Sequence, residues 1–366
     1  MRFSFSDEQR ELARMLRGLL QKSCPLTRVR EVMLEGEGHD QALWSRLCEE
    51  LGLAALVIPE EYGGAGFGSV ELAAVMEELG RALAPVPFLS ATLGAQALLR
   101  AGSDAQREAH LPSLASGERR ATLAFPQDCQ LSFKPNGDGF ALSGHITRTL
   151  DAHAADLVIA PAVGENGDRA LFILEETVFS ERKRLATLDA TRPWGELQVN
   201  ATLPAAARLP GDAQGVLKQV AEYGAIALAT EQVGLAEACL EMAVDYAKTR
   251  TQFERPIGSF QAIKHKCADM LLKVESARSA AYYAAWALSV DAPDVSELAH
   301  LAAAYCGEAA FECAAENIQV HGGIGFTWEH DAHLYFKRAR ASERLFGAPA
   351  LHREAVAQLW LDGAAD

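Results

Sequence analysis

The chain reads as an α+β protein of 366 residues in three consecutive parts. Helices are expected over 1–120, a β-barrel or sandwich over 121–212, and a C-terminal four-helix bundle over 213–366. Three observations predict this. Apolar residues recur at helical spacing in the first and last parts. Turn glycines separate short alternating runs in the middle. No βαβ alternation and no GxGxxG segment occurs, which counts against a Rossmann domain.

Taken in order, Ser6 followed by Gln9 forms a capping box, and Leu12, Leu16, Leu19 and Leu20 continue at helical spacing. A second helix is expected over Asp40–Leu51, stopped by Gly52. Pro59, Gly63, Gly64, Gly66 and Gly68 predict a loop. Helical spacing resumes over Val70–Leu99 and near Asp104–Ser116. Short strands are expected in GDGFALSGHITRTLDAHAADLVIAPAV, GDRALFILEE and GELQVNATLPAAARL. A very long amphipathic segment begins at Val216, followed by helices over about Ser259–Val290, Val295–Val320, Asp331–Arg344 and from Pro349.

Composition excludes several classes. Hydrophobic residues make up 49 % of the chain, which argues against disorder. A net charge of −15 argues against nucleic-acid binding as the main task. No run of about 18 apolar residues suggests a membrane span. The start, MRFSFSDEQRELARMLRGLL, is amphipathic and interrupted by acids, unlike a signal peptide. The 7 cysteines show no CxxC pairing and are expected as reduced core residues in a cytoplasmic protein, with no metal site.

Two segments could carry chemistry. RTQFERPIGSFQ (Arg250–Gln261) breaks a long helix at Pro256 and Gly258. Arg250 offers a fork of donors suited to a diphosphate, Gln252 can hydrogen-bond, and Phe253 offers a flat face to a base. The plain alternative is a helix–helix turn with a surface arginine. QVHGGIGF (Gln319–Phe326) has a glycine pair that would let backbone N–H groups approach an anion or sugar. Here the plain alternative is a helix C-cap and loop.

Together with LGLAALVIPEEYGGAGFG and IQVHGGIGFTWEHDAHLYFKRAR, these segments resemble the acyl-CoA dehydrogenases over nearly the whole chain. The resemblance implies the helical–β–helical fold, FAD, and conversion of an acyl-CoA thioester to the trans-2-enoyl product. It implies a carboxylate that takes the α-proton and a flavin that takes the β-hydride. It also implies a shared FAD, with one subunit holding the flavin ring and its neighbour holding the diphosphate and adenine. The neighbour's contribution maps onto Arg250, Gln252, Phe253, Gln319, Gly322 and Gly323.

The other half departs from the family pattern. Ala124, Phe125 and Pro126 stand where relatives carry Thr-Glu-Pro, and the following Gly-rich loop is missing. Arg148, Thr149 and Leu150 stand in place of Trp-Ile-Thr. The usual base position holds Phe346, in KRARASERLFGAPA, and the minority position holds Gly224. Glu231 lies in an apolar context about two turns beyond Gly224, either as a substitute base or as a structural partner of a neighbouring arginine. Glu343 is expected on a solvated charged face, and His321 and Glu329 are expected to cap and orient the next helix.

The groups that serve a neighbour's FAD are kept and those that serve the chain's own flavin are lost. The resemblance therefore implies a non-catalytic-type subunit of an α2β2 heteromeric, FAD-dependent acyl-CoA dehydrogenase. Its substrate would be an acyl-CoA, possible steroid side-chain CoA thioesters included. Its partners would be a homologous subunit and an electron-transferring flavoprotein. Two other readings stay open: a self-sufficient homo-oligomer using Glu231 or another base, and a flavin-free scaffold or binding protein on the same fold.

Overall fold

Helix α1 (Asp7–Ser23) starts as the capping box requires, with Ser6 and Gln9 exchanging side-chain-to-backbone hydrogen bonds. It is followed by α2 (Leu26–Leu34) and α3 (Gln41–Leu51). Asp40 caps α3 by accepting from the Leu43 N–H at 3.0 Å, and Gly52 closes it in the left-handed region. The computed structural model describes residues 5–34 and 36–363, so the outer limits of the two expected helical parts, 1 and 366, lie outside the described residues.

The helical spacing from Val70 to Leu99 is divided between two helices, α4 (Ser69–Arg81) and α5 (Phe88–Ala101). The chain breaks where Leu83 takes a φ of 49° ahead of Pro85 and Pro87, which no α-helix interior accommodates. Helix α6 (Asp104–Ala115) follows with its own capping box, Ser103 and Gln106.

The strands form one eight-stranded mixed sheet. They are β1 (Ala121–Leu123), β2 (Cys129–Asn136), β3 (Gly139–Leu150), β4 (Leu157–Gly164), β5 (Arg169–Glu175), β6 (Phe179–Arg184), β7 (Trp194–Pro204) and β8 (Arg208–Leu209). The order is β6-β7-β3-β2-β4-β5-β8, with β1 parallel to β4. β2 and β4 pair only at Ser132–Val163 and Phe133–Gly164. Side chains of both halves, among them Phe133, Ile146, Ala160, Phe172 and Val199, share one core, as in a sandwich.

The C-terminal part contains α7 (Ala213–Thr249), a two-stranded hairpin of β9 (Thr251–Gln252) and β10 (Arg255–Pro256), then α8 (Gln261–Ser289), α9 (Val295–His321), α10 (Ala332–Ser342) and α11 (Pro349–Gly363). The core of α4, α7, α8 and α9 is alanine-rich, with Ala73, Ala229, Ala281, Ala284 and Ala302 buried. Small residues let the helices approach closely. A Cβ on Gly234 of α7 would lie 1.8 Å from the Glu77 carbonyl oxygen of α4, so only glycine fits that crossing.

The described residues group into two units. One comprises the chain up to Arg30, Ser69–Ala84 and the chain from Glu222 on; the other comprises Glu31–Gly68 and Pro85–Ala221. Among the described residues no helix is long and apolar enough to cross a membrane. All seven cysteines are free thiols, and burial pushes Cys129, Cys306 and Cys313 up to about 12.

Candidate cofactor site

Helix α7 ends where the Arg250 N–H donates to the Tyr246 carbonyl at 2.8 Å. The chain then reverses through the β9–β10 hairpin, with Gln252 opposite Arg255 and Thr251 opposite Pro256. Its two central residues, Phe253 and Glu254, have φ values of 52° and 63°. Both are left-handed, as a type I′ hairpin turn needs, although neither is the usual Asn or Gly. Each non-glycine residue held there costs about 1–2 kcal/mol.

The turn throws its side chains outward. Phe253 is 85 % exposed, and Arg250 and Gln252 are exposed. Phe260 supports the hairpin from below, edge-on to Phe253 at 6.0 Å, with the Arg255 guanidinium 4.1 Å from its ring. The Gln252 amide donates to the Thr251 carbonyl at 2.9 Å. Among the described residues the Arg250 guanidinium makes no hydrogen bond or ion pair.

The second segment begins where α9 stops. Gly322 caps α9, at φ 64° and ψ −141°, a conformation reserved for glycine. The expected C-cap is therefore present, and it leaves room for a ligand as well. A Cβ at Gly322 or Gly323 would meet nothing within 4 Å, so their backbone faces open space. Gln319 is exposed on the last turn of α9. The turn over Gly322–Phe326 leaves Phe326 83 % exposed.

The structure brings these two segments to the same end of one unit. The Tyr246 ring of α7 stacks on His321 of α9 with centroids 4.3 Å apart. Neither Tyr246 nor the nearby His330 was recognisable as a site residue, since an aromatic within a helical pattern is ordinarily core. Burial lowers His321 from the usual histidine range, and the neighbouring His330 lowers it further. The helix-capping role expected of His321 and Glu329 belongs instead to His330, whose Nδ1 accepts from the Ala332 N–H at 3.1 Å. His321 bonds back to the Asn317 carbonyl at 2.8 Å.

The candidate bases are engaged elsewhere. Glu231 is 4 % exposed and accepts a 3.1 Å hydrogen bond from Arg338 of α10, which is 2 % exposed. This is the arginine partner that its structural reading calls for. Glu343 pairs with Arg340, whose guanidinium also lies 5.0 Å from the Phe311 ring. The solvated face expected for this stretch is thus corrected: Arg338 and Ser342 are buried, and the Glu343 side chain is 12 % exposed. Arg338 and Glu231 can be buried because each is the other's partner. Phe346 is half-buried in the turn after α10, and Gly224 is buried within α7. Among the described residues no group of three or more His, Cys, Asp or Glu could hold a metal ion.

In the other unit, the segment at the Thr-Glu-Pro place is occupied with its own structure. Ala124 is fully buried, its N–H donating to the Ile159 carbonyl at 2.9 Å. Arg148 pairs with Asp128 at 3.0 Å and lies 5.1 Å over the Trp194 ring. Thr149 follows a bulge between β3 and β7 and is buried.

Comparisons with known proteins agree with this architecture. Residues 6–118 match the family of the acyl-CoA dehydrogenase N-terminal domain, and residues 213–361 that of the C-terminal domain. The chain is 40 % identical over 356 residues to acyl-CoA dehydrogenase IpdE2 of Mycobacterium tuberculosis, covering 97 % of this chain and 98 % of that protein. Among solved structures, the ChsE4–ChsE5 complex from Mycobacterium tuberculosis contains a chain with a TM-score of 0.89 at 30 % identity, covering 98 % of both chains. The Tcur3481–Tcur3483 steroid ACAD variant contains one with a TM-score of 0.87 at 29 % identity, covering 98 % of this chain and 99 % of that one. The chain therefore belongs to the acyl-CoA dehydrogenases, a family of oxidoreductases that generally use FAD.

Proposed function

We propose that this chain is the subunit of a heteromeric acyl-CoA dehydrogenase that lends the diphosphate and adenine contacts of a shared FAD and carries no base of its own. The observation behind this is the contrast in engagement. Arg250 and Phe253 stand exposed beside an open glycine turn, with the guanidinium unpaired among the described residues. Both carboxylates near the expected base segment are held by arginines.

The residues present fit one half of FAD. Arg250 would pair with a diphosphate oxygen, a charge-assisted contact of about 1.5–3 kcal/mol. Gln252 and Gln319 would hydrogen-bond the phosphates and ribose, and Phe253 would stack on adenine. Gly322 and Gly323 would present backbone N–H groups without a side chain in the way. The flavin-ring half does not fit: Ala124 brings no donor, and Arg148 is committed to Asp128. When bound, FAD supplies the hydride acceptor of the α,β-dehydrogenation. The α-proton then needs a carboxylate from a homologous partner, because Phe346 and Gly224 cannot accept one.

Chains of similar fold occur in structures described as the ChsE4–ChsE5 complex and a steroid ACAD, which supports a heteromer and a bulky, steroid-type acyl-CoA. Reoxidation by an electron-transferring flavoprotein and a cytoplasmic location complete the reading. The test is to purify the chain alone and together with a homologous acyl-CoA dehydrogenase subunit that carries the base. Flavin absorbance and reduction of an artificial electron acceptor by acyl-CoA are then recorded. Flavin and activity are expected only from the pair. A yellow, active preparation of this chain alone would establish the self-sufficient reading, and a flavin-free pair would establish the scaffold.

A further inference from the structure

His321 sits where the two candidate turns meet. Its ring stacks on Tyr246 with centroids 4.3 Å apart and planes 29° apart. The Tyr246 backbone carbonyl accepts the Arg250 backbone N–H at 2.8 Å, so the arginine turn starts one helical turn beyond that ring. On its other flank in sequence, His321 directly precedes Gly322. The glycine turn folds back over it: a Cβ at Gly325 would lie 2.9 Å from the His321 Cβ.

The ring is also oriented. The His321 Nδ1 lies 2.8 Å from the Asn317 carbonyl of its own helix, so Nδ1 carries the proton and donates. His330 meets the same ring with centroids 4.3 Å apart, and it begins α10 by accepting from Ala332. One side chain thus touches the end of α7, the glycine turn and the start of α10.

We propose that His321 is a positioning residue that holds the arginine turn and the glycine turn in register, so that the grip on the diphosphate and adenine of FAD depends on the Tyr246–His321 contact. This rests on the proposed placement of FAD. His321 need not touch the cofactor. It restricts how far Arg250 and the Gly322–Gly323 backbone can drift apart, which lowers the ordering needed on binding. Ring contacts of this kind correspond to a roughly three- to tenfold change in affinity.

The test uses the complex of this chain with its neighbouring subunit, stripped of flavin and titrated with FAD by flavin fluorescence. His321→Ala is expected to weaken FAD roughly three- to tenfold, with turnover per bound flavin little changed. His321→Phe, which keeps a ring against Tyr246, is expected to restore most of the affinity. Tyr246→Ala should match His321→Ala, and the double variant should be no worse than either single one. Should His321→Ala fail to fold, Tyr246→Ala and His321→Phe carry the same comparison.

Arg250→Ala separates the inference from the reading beneath it. If Arg250→Ala weakens FAD while His321→Ala and Tyr246→Ala do not, His321 is not a positioning residue and the site stands. If Tyr246→Ala and His321→Ala add independently, the register is set elsewhere and the inference fails. If Arg250→Ala leaves FAD affinity unchanged, the placement of FAD is wrong and the inference falls with it.

Discussion

Two regions of one unit, the arginine and glycine turns and the stretch that holds the usual base position, dispose their side chains in opposite ways. Around Arg250–Phe253 and Gln319–Gly323, polar and aromatic groups face outward, and the arginine is unpaired among the described residues. In Lys337–Ala350 two arginines are matched within the fold, Arg338 with Glu231 and Arg340 with Glu343, while Arg344 is exposed. Charge density alone is therefore a poor guide to a site. A donor that is exposed and unmatched is free to meet a ligand or water, whereas a buried, matched pair points to architecture.

The sharpest way to break this contrast is to remove a buried partner. Glu231→Ala would strand Arg338 in a dry environment and is expected to destabilise the protein by about 3–5 kcal/mol, read as a fall in Tm. The milder Glu231→Gln is expected to leave turnover per bound flavin intact. Lost turnover at an unchanged Tm would instead make Glu231 the base.

A second prediction concerns the anchor at the end of the inward-facing stretch. His352 of α11 is 5 % exposed, and its Nδ1 lies 2.8 Å from Nδ1 of His300. Burial lowers its pKa from 6.5 to about 4, with His300 lowering it further and a hydrogen bond at Gly347 opposing. The folded value is depressed, so the stability contribution is full above 6.5 and is lost as pH falls towards 4. The loss amounts to roughly 3 kcal/mol, and His352→Gln should flatten that part of a Tm–pH profile.

The outward set has the reverse expectation. Arg250→Ala should weaken FAD by roughly 1.5–3 kcal/mol, about 10- to 100-fold, while leaving Tm of the flavin-free protein unchanged. A large drop in Tm would mean that Arg250 is structural. The smallest effect is expected from Arg148→Ala. Its pair with Asp128 is half-exposed, so stability should change by at most about 1 kcal/mol and FAD affinity not at all.

Much of the fold was legible from local signals. Ser6 with Gln9, and Asp40 with Gly52, delimit helices because capping is a short-range effect. The long helices of the C-terminal part follow from apolar spacing, within two or three residues at their ends. The break at Leu83 was hidden because apolar residues continue through it. The β9–β10 hairpin was hidden because Phe253 and Glu254 occupy positions that normally announce themselves with Asn or Gly.

The site was legible in part for the same reason. Arg250, Gln252, Phe253 and the glycine pair form contiguous motifs. What joins them does not: Tyr246 and His321 are far apart in the chain, as are Glu231 and Arg338, and no local pattern reveals such partners. The same limit explains why the Glu343 segment reads as a solvated face although the neighbouring Arg338 and Arg340 have partners within the fold.

The central claim is that this chain gives FAD its diphosphate and adenine contacts and depends on a partner for the rest. It is tested most directly by the flavin-to-protein ratio of the two-subunit complex with Arg250→Ala in this chain alone. The account predicts a colourless complex that regains flavin and activity only at high added FAD. A variant complex that keeps its full complement of flavin through purification would contradict it.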